Sequence, residues 1–422
     1  MVDEREQTPA RRRSRNPLRR LRAAAAHGAV RCGTAAYAAV LRRAGRKRRR
    51  RLRRPVRILL TGRFDSDNWI RAHIGPLAAS DACAGVWMVS TRPVPDLPKV
   101  TAVYPPRWLV RLIGETPARL ATFIRYARRH RPEVVGGFHL LVNGLAAILA
   151  ARRIGARSMY FCVGGPVEVL DGGVWGEGNY FAMMERPDPV VEARLLQAVR
   201  ACDLVVTMGS RAAAFFREHG IRGDVRVISG GIDPARFQAD GAVRDIDVIL
   251  TARLVPIKRI DVWLDALRSA RARMGDLAAM IVGAGPLETD LQRACRRLGL
   301  AGCVRFIGHQ PDVASWLARS RLFVLTSDSE GLSLALMEAM TAGLTPIVSN
   351  VGDLADLVSD GVNGYLVPRR RPDLVADRIV ELLTDPARLE AFATAARQSA
   401  QRYEMSRTIG LWDGVLAQLP VR

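Results

Sequence analysis

The 422 residues exceed what one hydrophobic core ordinarily serves, about 250–300 residues, and so call for two domains. With 49% hydrophobic and 25% charged residues, the composition is that of a soluble globular protein and excludes wholesale disorder. No apolar run reaches the roughly 18 residues of a spanning helix, and no signal-type segment follows a short basic start, so neither membrane spanning nor secretion is expected.

The net charge of +23 suggests a nucleic-acid binder until it is divided along the chain. Residues 1–54 hold 19 Lys+Arg and three acids, a net of +16, which leaves only +7 for everything that follows. Residues 1–20 are rich in Arg, Pro and Ser without apolar periodicity, and disorder is expected there. Residues 21–53 can form a basic helix with a thin apolar stripe of Leu21, Ala24, Ala25, Tyr37, Val40 and Leu41. Four readings of this arm stay open: a solvated tail, a segment lying on an anionic membrane surface, a nucleic-acid contact and an organellar presequence. Clustered arginine attracts anionic headgroups at about 1 kcal/mol per residue, which supports the second. The body shows no nucleic-acid-reading module and no aromatic-interleaved basic stripe, so nucleic acid is not expected as a partner.

From Pro55 onward, short β-branched runs alternate with helical patterns, which implies an α/β fold with parallel sheets covered on both faces. Strands are expected at 56–61, 86–90, 134–139, 158–162, 204–207 and 225–228, with helices such as 117–130 and 144–153 between them. Gly230-Gly231 ahead of Asp233-Pro234 reads as the interdomain linker. A second series then begins, with strands at 247–252, 278–282, 304–307, 322–326 and 345–349. Its helices are expected at 260–274, 287–298, 313–318 and 332–342. Ile260, Trp263, Leu264, Leu267 and Ala270 recur at helical spacing and make the first of these helices firm. The expected division is an arm over 1–54, one domain over 55–232, a second over 233–402, and a last helix over 403–422 crossing back to the first domain. Two doubly wound domains of this kind present ligand sites at the carboxyl ends of their strands, facing a central cleft.

The six cysteines (32, 83, 162, 202, 295 and 303) contain no Cys-x-x-Cys pair, which argues against zinc and disulfides and for a reducing cytosol. Arginine outnumbers lysine 61 to 3, so Lys258, the only lysine after residue 99, stands out. It follows a strand in Ala252-Arg253-Leu254-Val255-Pro256-Ile257-Lys258-Arg259. Arg253 and Lys258 can converge there on one anion, one as a planar fork and the other as a point charge. The plain alternative is an ordinary helix-start cation.

Glu330 and Glu338 bracket the second signal. From Gly331 through Gly352 the only charged side chain is Glu338. A carboxylate on an apolar helix between two buried strands requires a partner, either two adjacent ribose hydroxyls or an arginine. Glu330 is placed to reach sugar hydroxyls. The amides of Gly331 and Leu332, at the expected helix start, would attract a diphosphate. Gly283-x-Gly285 lacks the third glycine of a dinucleotide fingerprint, so an NAD enzyme is not expected. Asp65-Ser66-Asp67 imitates a metal-binding Asp-x-Asp but is read as a loop.

The chain resembles the retaining glycosyltransferases of family 4, which have the two-Rossmann GT-B architecture. Arg253 and Lys258 match their diphosphate-binding pair, and Glu330 with Glu338 their E-x7-E motif. Gly283-Ala284-Gly285-Pro286, Phe306-Ile307-Gly308-His309 and Gly361-Val362-Asn363-Gly364 fall in the family's order. The likeness is specific over 200–400, weaker over 56–199, and absent from the arm. It implies a nucleotide-sugar donor held by Arg253, Lys258, Glu330, Gly331, Leu332, Glu338 and His309, with neither metal nor other cofactor. By analogy with family members it also suggests a lipid-linked acceptor in polysaccharide or glycolipid assembly, which suits the cytoplasmic membrane face to which the arm's sixteen net positive charges, with no spanning segment, point. The family's histidine near residue 160 is missing, since the chain there reads Tyr160-Phe161-Cys162-Val163-Gly164-Gly165-Pro166. His139, where many members also carry histidine, lines the acceptor side or is simply structural. The stretch 164–178, with Glu168, Asp171 and Glu177, is an acceptor loop or a plain connection. A sugar-nucleotide epimerase of the same fold and a non-catalytic nucleic-acid binder remain as rival readings.

Overall fold

The computed structural model describes residues 17–44, 51–64, 66–173, 187–238 and 243–420. They form two compact α/β units. The first takes the described residues up to Gly231 and again from Ser406, and the second runs over Ile232–Met405. Residues 1–16, Asp65 and Glu177 lie outside the described residues, so the expectations placed on them go no further.

The first unit is built on β1 (Val56–Thr61), β2 (Cys83–Val89), β3 (Val100–Val103), β4 (Val134–Phe138), β5 (Arg157–Cys162), β6 (Leu204–Thr207) and β7 (Asp224–Val227). They pair in the order β3-β2-β1-β4-β5-β6-β7, and every pairing is parallel. β4, β5 and β6 are buried along their whole length. That is why β4, β6 and the Met159–Cys162 part of β5 appear in the sequence as largely apolar runs and not as alternation. Leu59, Val89 and Val135 pack with Phe123, Ala127, Ala147 and Ala151 from helices Glu115–His130 and Leu145–Ile154. The order reverses between β1 and β4, and there the parallel sheet has its topological switch point.

Helix Met405–Gln418 completes this unit. Trp412, 2% exposed, lies 5.8 Å from the Phe161 ring, and Asp413 Oδ1 accepts from Ser80 Oγ at 2.6 Å and Asp81 N at 2.9 Å.

The arm requires a correction. Pro17–Arg43 is one helix, and it packs into the first unit instead of standing apart from it. Leu41 joins the core cluster of Tyr160, Val191, Leu195 and Val199, and Tyr37 donates its hydroxyl to Leu145 O at 2.9 Å. Arg31 Nε reaches Asp188 Oδ2 at 2.5 Å, and His27 Nε2 lies 2.8 Å from the same oxygen. The charge count concealed this because Ala38 and Leu41, its buried apolar residues, are diluted among arginines and alanines.

The second unit holds β8 (Ile246–Thr251), β9 (Ala279–Val282), β10 (Val304–Gly308), β11 (Ser320–Leu325), β12 (Thr345–Ser349) and β13 (Tyr365–Val367). They pair in parallel in the order β10-β9-β8-β11-β12-β13, the doubly wound Rossmann order. Helix Ile260–Met274 covers the sheet through Ile260, Trp263, Leu264 and Leu267, all 2% exposed or less. The switch between β8 and β11 brings the loops after these two strands side by side.

Candidate active site at the carboxyl edge of the second sheet

Every motif singled out in the second half of the sequence follows the end of a strand in this sheet. Arg253 and Lys258 follow β8, the Gly283–Gly285 loop follows β9, and His309 follows β10. Glu330 through Leu332 follow β11, and Gly352 follows β12. Parallel pairing therefore gathers them at one edge.

The loops are laced together by backbone. Leu254 N donates to Ala284 O at 3.0 Å, Leu287 N to Leu254 O at 3.1 Å, and Gly283 N to Gly308 O at 2.8 Å. A Cβ on Gly283 would sit 1.8 Å from Ala252 O, and its φ of +146 already favours glycine. These glycines let two loops touch, which is a different use from cradling a dinucleotide. Gly361-Val362-Asn363-Gly364 is likewise a turn into β13. Asn363 Oδ1 accepts from Ser359 N at 2.7 Å, and Gly364 passes against Pro346.

Lys258 Nζ donates to Glu330 Oε1 at 2.6 Å, with the side chains 15% and 9% exposed. Ser327 Oγ donates to the same oxygen at 2.5 Å. Arg253 lies on the same loop and is exposed. Behind them is a cluster that motif reading missed. Asp328, 6% exposed, takes a two-pronged bond from Arg370, Nε at 2.9 Å and Nη2 at 2.8 Å, and a longer one from Arg259 at 3.5 Å. Its amide donates to Ile257 O at 2.8 Å, tying the β11 loop to the β8 loop. The Asp328 bond pushes the Arg370 guanidinium above its ordinary pKa, whereas burial, with Arg370 beside it, pushes Arg369 down. The run Arg369-Arg370-Arg371 was the available signal, lost among so many arginines.

Two expectations change. The helix expected over 332–342 is Leu334–Thr341, because Ser333 caps it by accepting from Leu336 N at 3.3 Å. The amides of Gly331 and Leu332 thus precede the helix instead of opening it, and Leu332 is buried at 8% exposure. Gly331 O accepts from Asp353 N at 3.3 Å. Glu338 lies within this helix and is 4% exposed. The Asp65-Ser66-Asp67 pattern is in part a helix start, since Ser66 caps Asp67–Ala79 by accepting from Trp69 N.

His139 belongs to the first unit, directly after β4, with φ +62. Its Nδ1 lies 3.0 Å from Glu168 Oε1. Glu168 is 6% exposed and also accepts from Gly164 N at 2.6 Å, Tyr160 OH at 2.7 Å and Leu140 N at 2.8 Å. Burial pushes its carboxyl up, but His139, the Gly164 amide and the Tyr160 hydroxyl outweigh that and hold it below the usual carboxylate range. Glu168 is thus the anchor of the stretch that begins at Gly164.

A paired lysine, an exposed arginine and a capped apolar helix at a parallel-sheet edge can receive a polyanionic ligand. Two family models match the chain: Glycosyltransferase Family 4 over residues 86–236, and Glycosyl transferases group 1 over residues 233–399. Between them the two models cover residues 86–399, so both units carry glycosyltransferase segments. D-inositol 3-phosphate glycosyltransferase 2 of Catenulispora acidiphila is 33% identical over 247 residues, 52% of this chain and 58% of that protein. The GDP-mannose-dependent alpha-(1-6)-phosphatidylinositol monomannoside mannosyltransferase of Mycobacterium tuberculosis is 29% identical over 231 residues, 50% of this chain and 60% of that protein. The chain therefore spans about three fifths of the length of these relatives. Among solved structures, Anabaena HepE in complex with UDP and glucose superposes with a TM-score of 0.67 at 19% identity, over 86% of this chain and 100% of that one. This likeness supports the GT-B fold.

Proposed function

We propose that the protein is a glycosyltransferase that takes a hexose from a nucleoside-diphosphate sugar, with retention, and passes it to a lipid-linked acceptor in polysaccharide or glycolipid assembly. The observation that carries this reading is the Lys258–Glu330 pair at the carboxyl edge of the second sheet, in a chain that both glycosyltransferase models match. Arg253 and Lys258 neutralise the charge that builds on the departing diphosphate. Contacts of this kind are worth about 10²–10³ in rate when one is removed. Glu330 orients the sugar, Glu338 is the ribose carboxylate, and Gly331, Leu332 and His309 flank the donor. His139, braced by Glu168, serves the acceptor side. With cations already in place, no metal is required.

The mannosyltransferase relative is named for a glycolipid, phosphatidylinositol monomannoside, which supports a lipid-linked acceptor, and with it work at the inner face of a membrane, with residues 1–54 meeting anionic lipid. Because one relative is named for GDP-mannose and one neighbour holds UDP, the decisive test titrates both UDP and GDP by calorimetry. It then assays hexose transfer from the matching nucleotide sugar to a membrane lipid extract. Micromolar binding of one nucleotide, lost in Lys258→Ala, is expected. No binding of either nucleotide rules the reading out.

A further inference from the structure

The first unit carries an apolar surface that its own fold leaves uncovered. Helix Arg107–Ile113 follows β3, and none of its residues is buried. Trp108 is 65% exposed, Leu112 72% and Ile113 42%, with Tyr104 at 51% just ahead of the helix. Trp108 and Leu112 stand at i and i+4 and so share one stripe. Arg107 and Arg111 repeat that spacing one residue earlier and form a cationic stripe beside it.

The surrounding charge is one-sided. Between residues 97 and 132 the only carboxylate is Glu115, against Lys99 and seven arginines. Arg119 is buried, but Arg107, Arg111, Arg125, Arg128 and Arg129 are exposed, and among the described residues none of these five has an ion pair. Contiguous large apolar side chains on a surface mark an interaction site. Flanking cations with no acids select an anionic partner. Tryptophan favours the boundary between headgroup and acyl chain, and arginine can keep its head at phosphate level while its stem lies along apolar surface. A helix of seven residues is about 10 Å long, matched to lying in an interface and far too short to span one. Among the described residues, no helix is long and apolar enough to cross a membrane.

We propose that this face docks on an anionic bilayer, with Trp108, Leu112 and Ile113 entering the boundary region and Arg107 and Arg111 engaging phosphates. It is an attachment surface on the body of the protein, additional to the arm and independent of the donor reading. The test is co-sedimentation of the full chain with vesicles of phosphatidylcholine and phosphatidylglycerol in equal amounts, against phosphatidylcholine alone. The wild type is expected to bind the mixed vesicles, less so as salt rises, because the attraction acts over about 10 Å at 0.1 M salt. W108S/L112S is expected to bind at least tenfold more weakly, and R107Q/R111Q to bind more weakly with a shallower salt dependence. Both variants should melt as the wild type does, since the altered side chains are exposed. Equal vesicle binding by wild type and W108S/L112S overturns the proposal and leaves attachment to the arm. A wild-type dimer in sedimentation velocity that W108S/L112S dissolves also overturns it, because the occupant is then a second copy. Titration of UDP and GDP on the same samples keeps the two readings apart: vesicle binding that depends on Trp108 stands even where no nucleotide binds.

Discussion

Lys258 and Glu330, 72 residues apart in the chain, meet at 2.6 Å, and Ser327 donates to the same carboxylate oxygen. The cation expected to meet a diphosphate is therefore already held by a carboxylate. Lys258→Ala should act twice: it leaves the nearly buried Glu330 without its cation, and it removes a diphosphate contact. Arg253 is exposed, and Arg253→Ala should act chiefly on the ligand. A charge-assisted bond contributes about 1.5–3 kcal/mol, so each change should cost roughly one to two decades of nucleotide affinity. Lys258→Ala should also lower the melting temperature, and by more than Arg253→Ala does. Calorimetric titration and thermal melting of both variants read the difference, and equal melting temperatures would sink this account of the pair.

Glu330→Gln tests the pair from its other side. The amide keeps the shape and can still accept from Lys258 and Ser327, but it no longer neutralises the ammonium. Affinity for a bare nucleoside diphosphate should stay level or rise, while sugar transfer falls. A loss of diphosphate affinity would show that Glu330 itself supports the ligand's phosphates.

Glu330 is held in place by a glycine. Gly352 has φ +55, and a Cβ there would lie 1.8 Å from Glu330 O, a backbone atom with nowhere to go. Gly361 has φ +73 but open space around it. Gly361→Ala should therefore cost only the left-handed strain, about 1–2 kcal/mol. Gly352→Ala should cost distinctly more and weaken nucleotide binding as well. Urea unfolding of the two variants side by side measures the gap, and similar midpoints would contradict the close approach.

The edge of the second sheet was legible in the sequence because its signals are local. β8, β11 and β12 are short, largely apolar runs, and Lys258, Glu330 and Glu338 stand out by rarity against an arginine-rich or apolar background. What escaped notice was set by tertiary partners. The weight of Asp328 comes from Arg370, 42 residues away, and no spacing rule links them. β13, three residues long, and β3, a partly exposed edge strand, are too short or too mixed to register as periodic. The helix Asp67–Ala79 was hidden by Pro76 within it and by an acidic start that mimics a metal motif. The arm misled for a physical reason: net charge reports on solvent and partners, whereas docking of Pro17–Arg43 depends on a few buried contacts.

Acid stability should show two steps. Burial pushes His73 down to about 4, and its ring stacks on Trp69 with centroids 4.2 Å apart. The folded protein keeps this ring neutral, whereas the unfolded chain protonates it below about 6.5. Stability is therefore lost as pH falls from about 6.5 to about 4, by about 3 kcal/mol at roughly 1.4 kcal/mol per unit. Glu168 acts lower: its folded carboxyl is depressed, so its contribution is present above the usual carboxylate range and disappears below it. His73→Phe keeps the stack and should flatten the upper step while leaving the lower one. Urea midpoints from pH 7 to pH 3 test this, and a wild-type curve flat between pH 6.5 and 4 would refute the assignment of His73.

The last prediction concerns what the arm holds together. A chain beginning at Pro55 loses Leu41 from the core around Tyr160 and Val199, the Tyr37 bond to Leu145 O, and both basic partners of Asp188. Asp188 is fully buried. Burial pushes its carboxyl up, but the Arg31 bond and the amides of Val191 and Val190 outweigh it and hold it below the ordinary range. Without the helix, that carboxylate keeps its role in capping Pro189–Val199 but loses its counter-charge. The shortened chain should therefore melt well below the full one, where a free tail would leave melting unchanged. Leu41→Ala in the full chain isolates the packing part, at about 2 kcal/mol, the low end for a leucine truncation because the site lies at the core's margin. Arg31→Ala isolates the ionic part and should have a smaller effect that shrinks with salt. Leu41→Ala also separates attachment from folding, because every positive charge of the arm remains. If the truncated chain and Leu41→Ala both melt as the wild type does, the helix is not docked in solution, and the arm returns to being a tail.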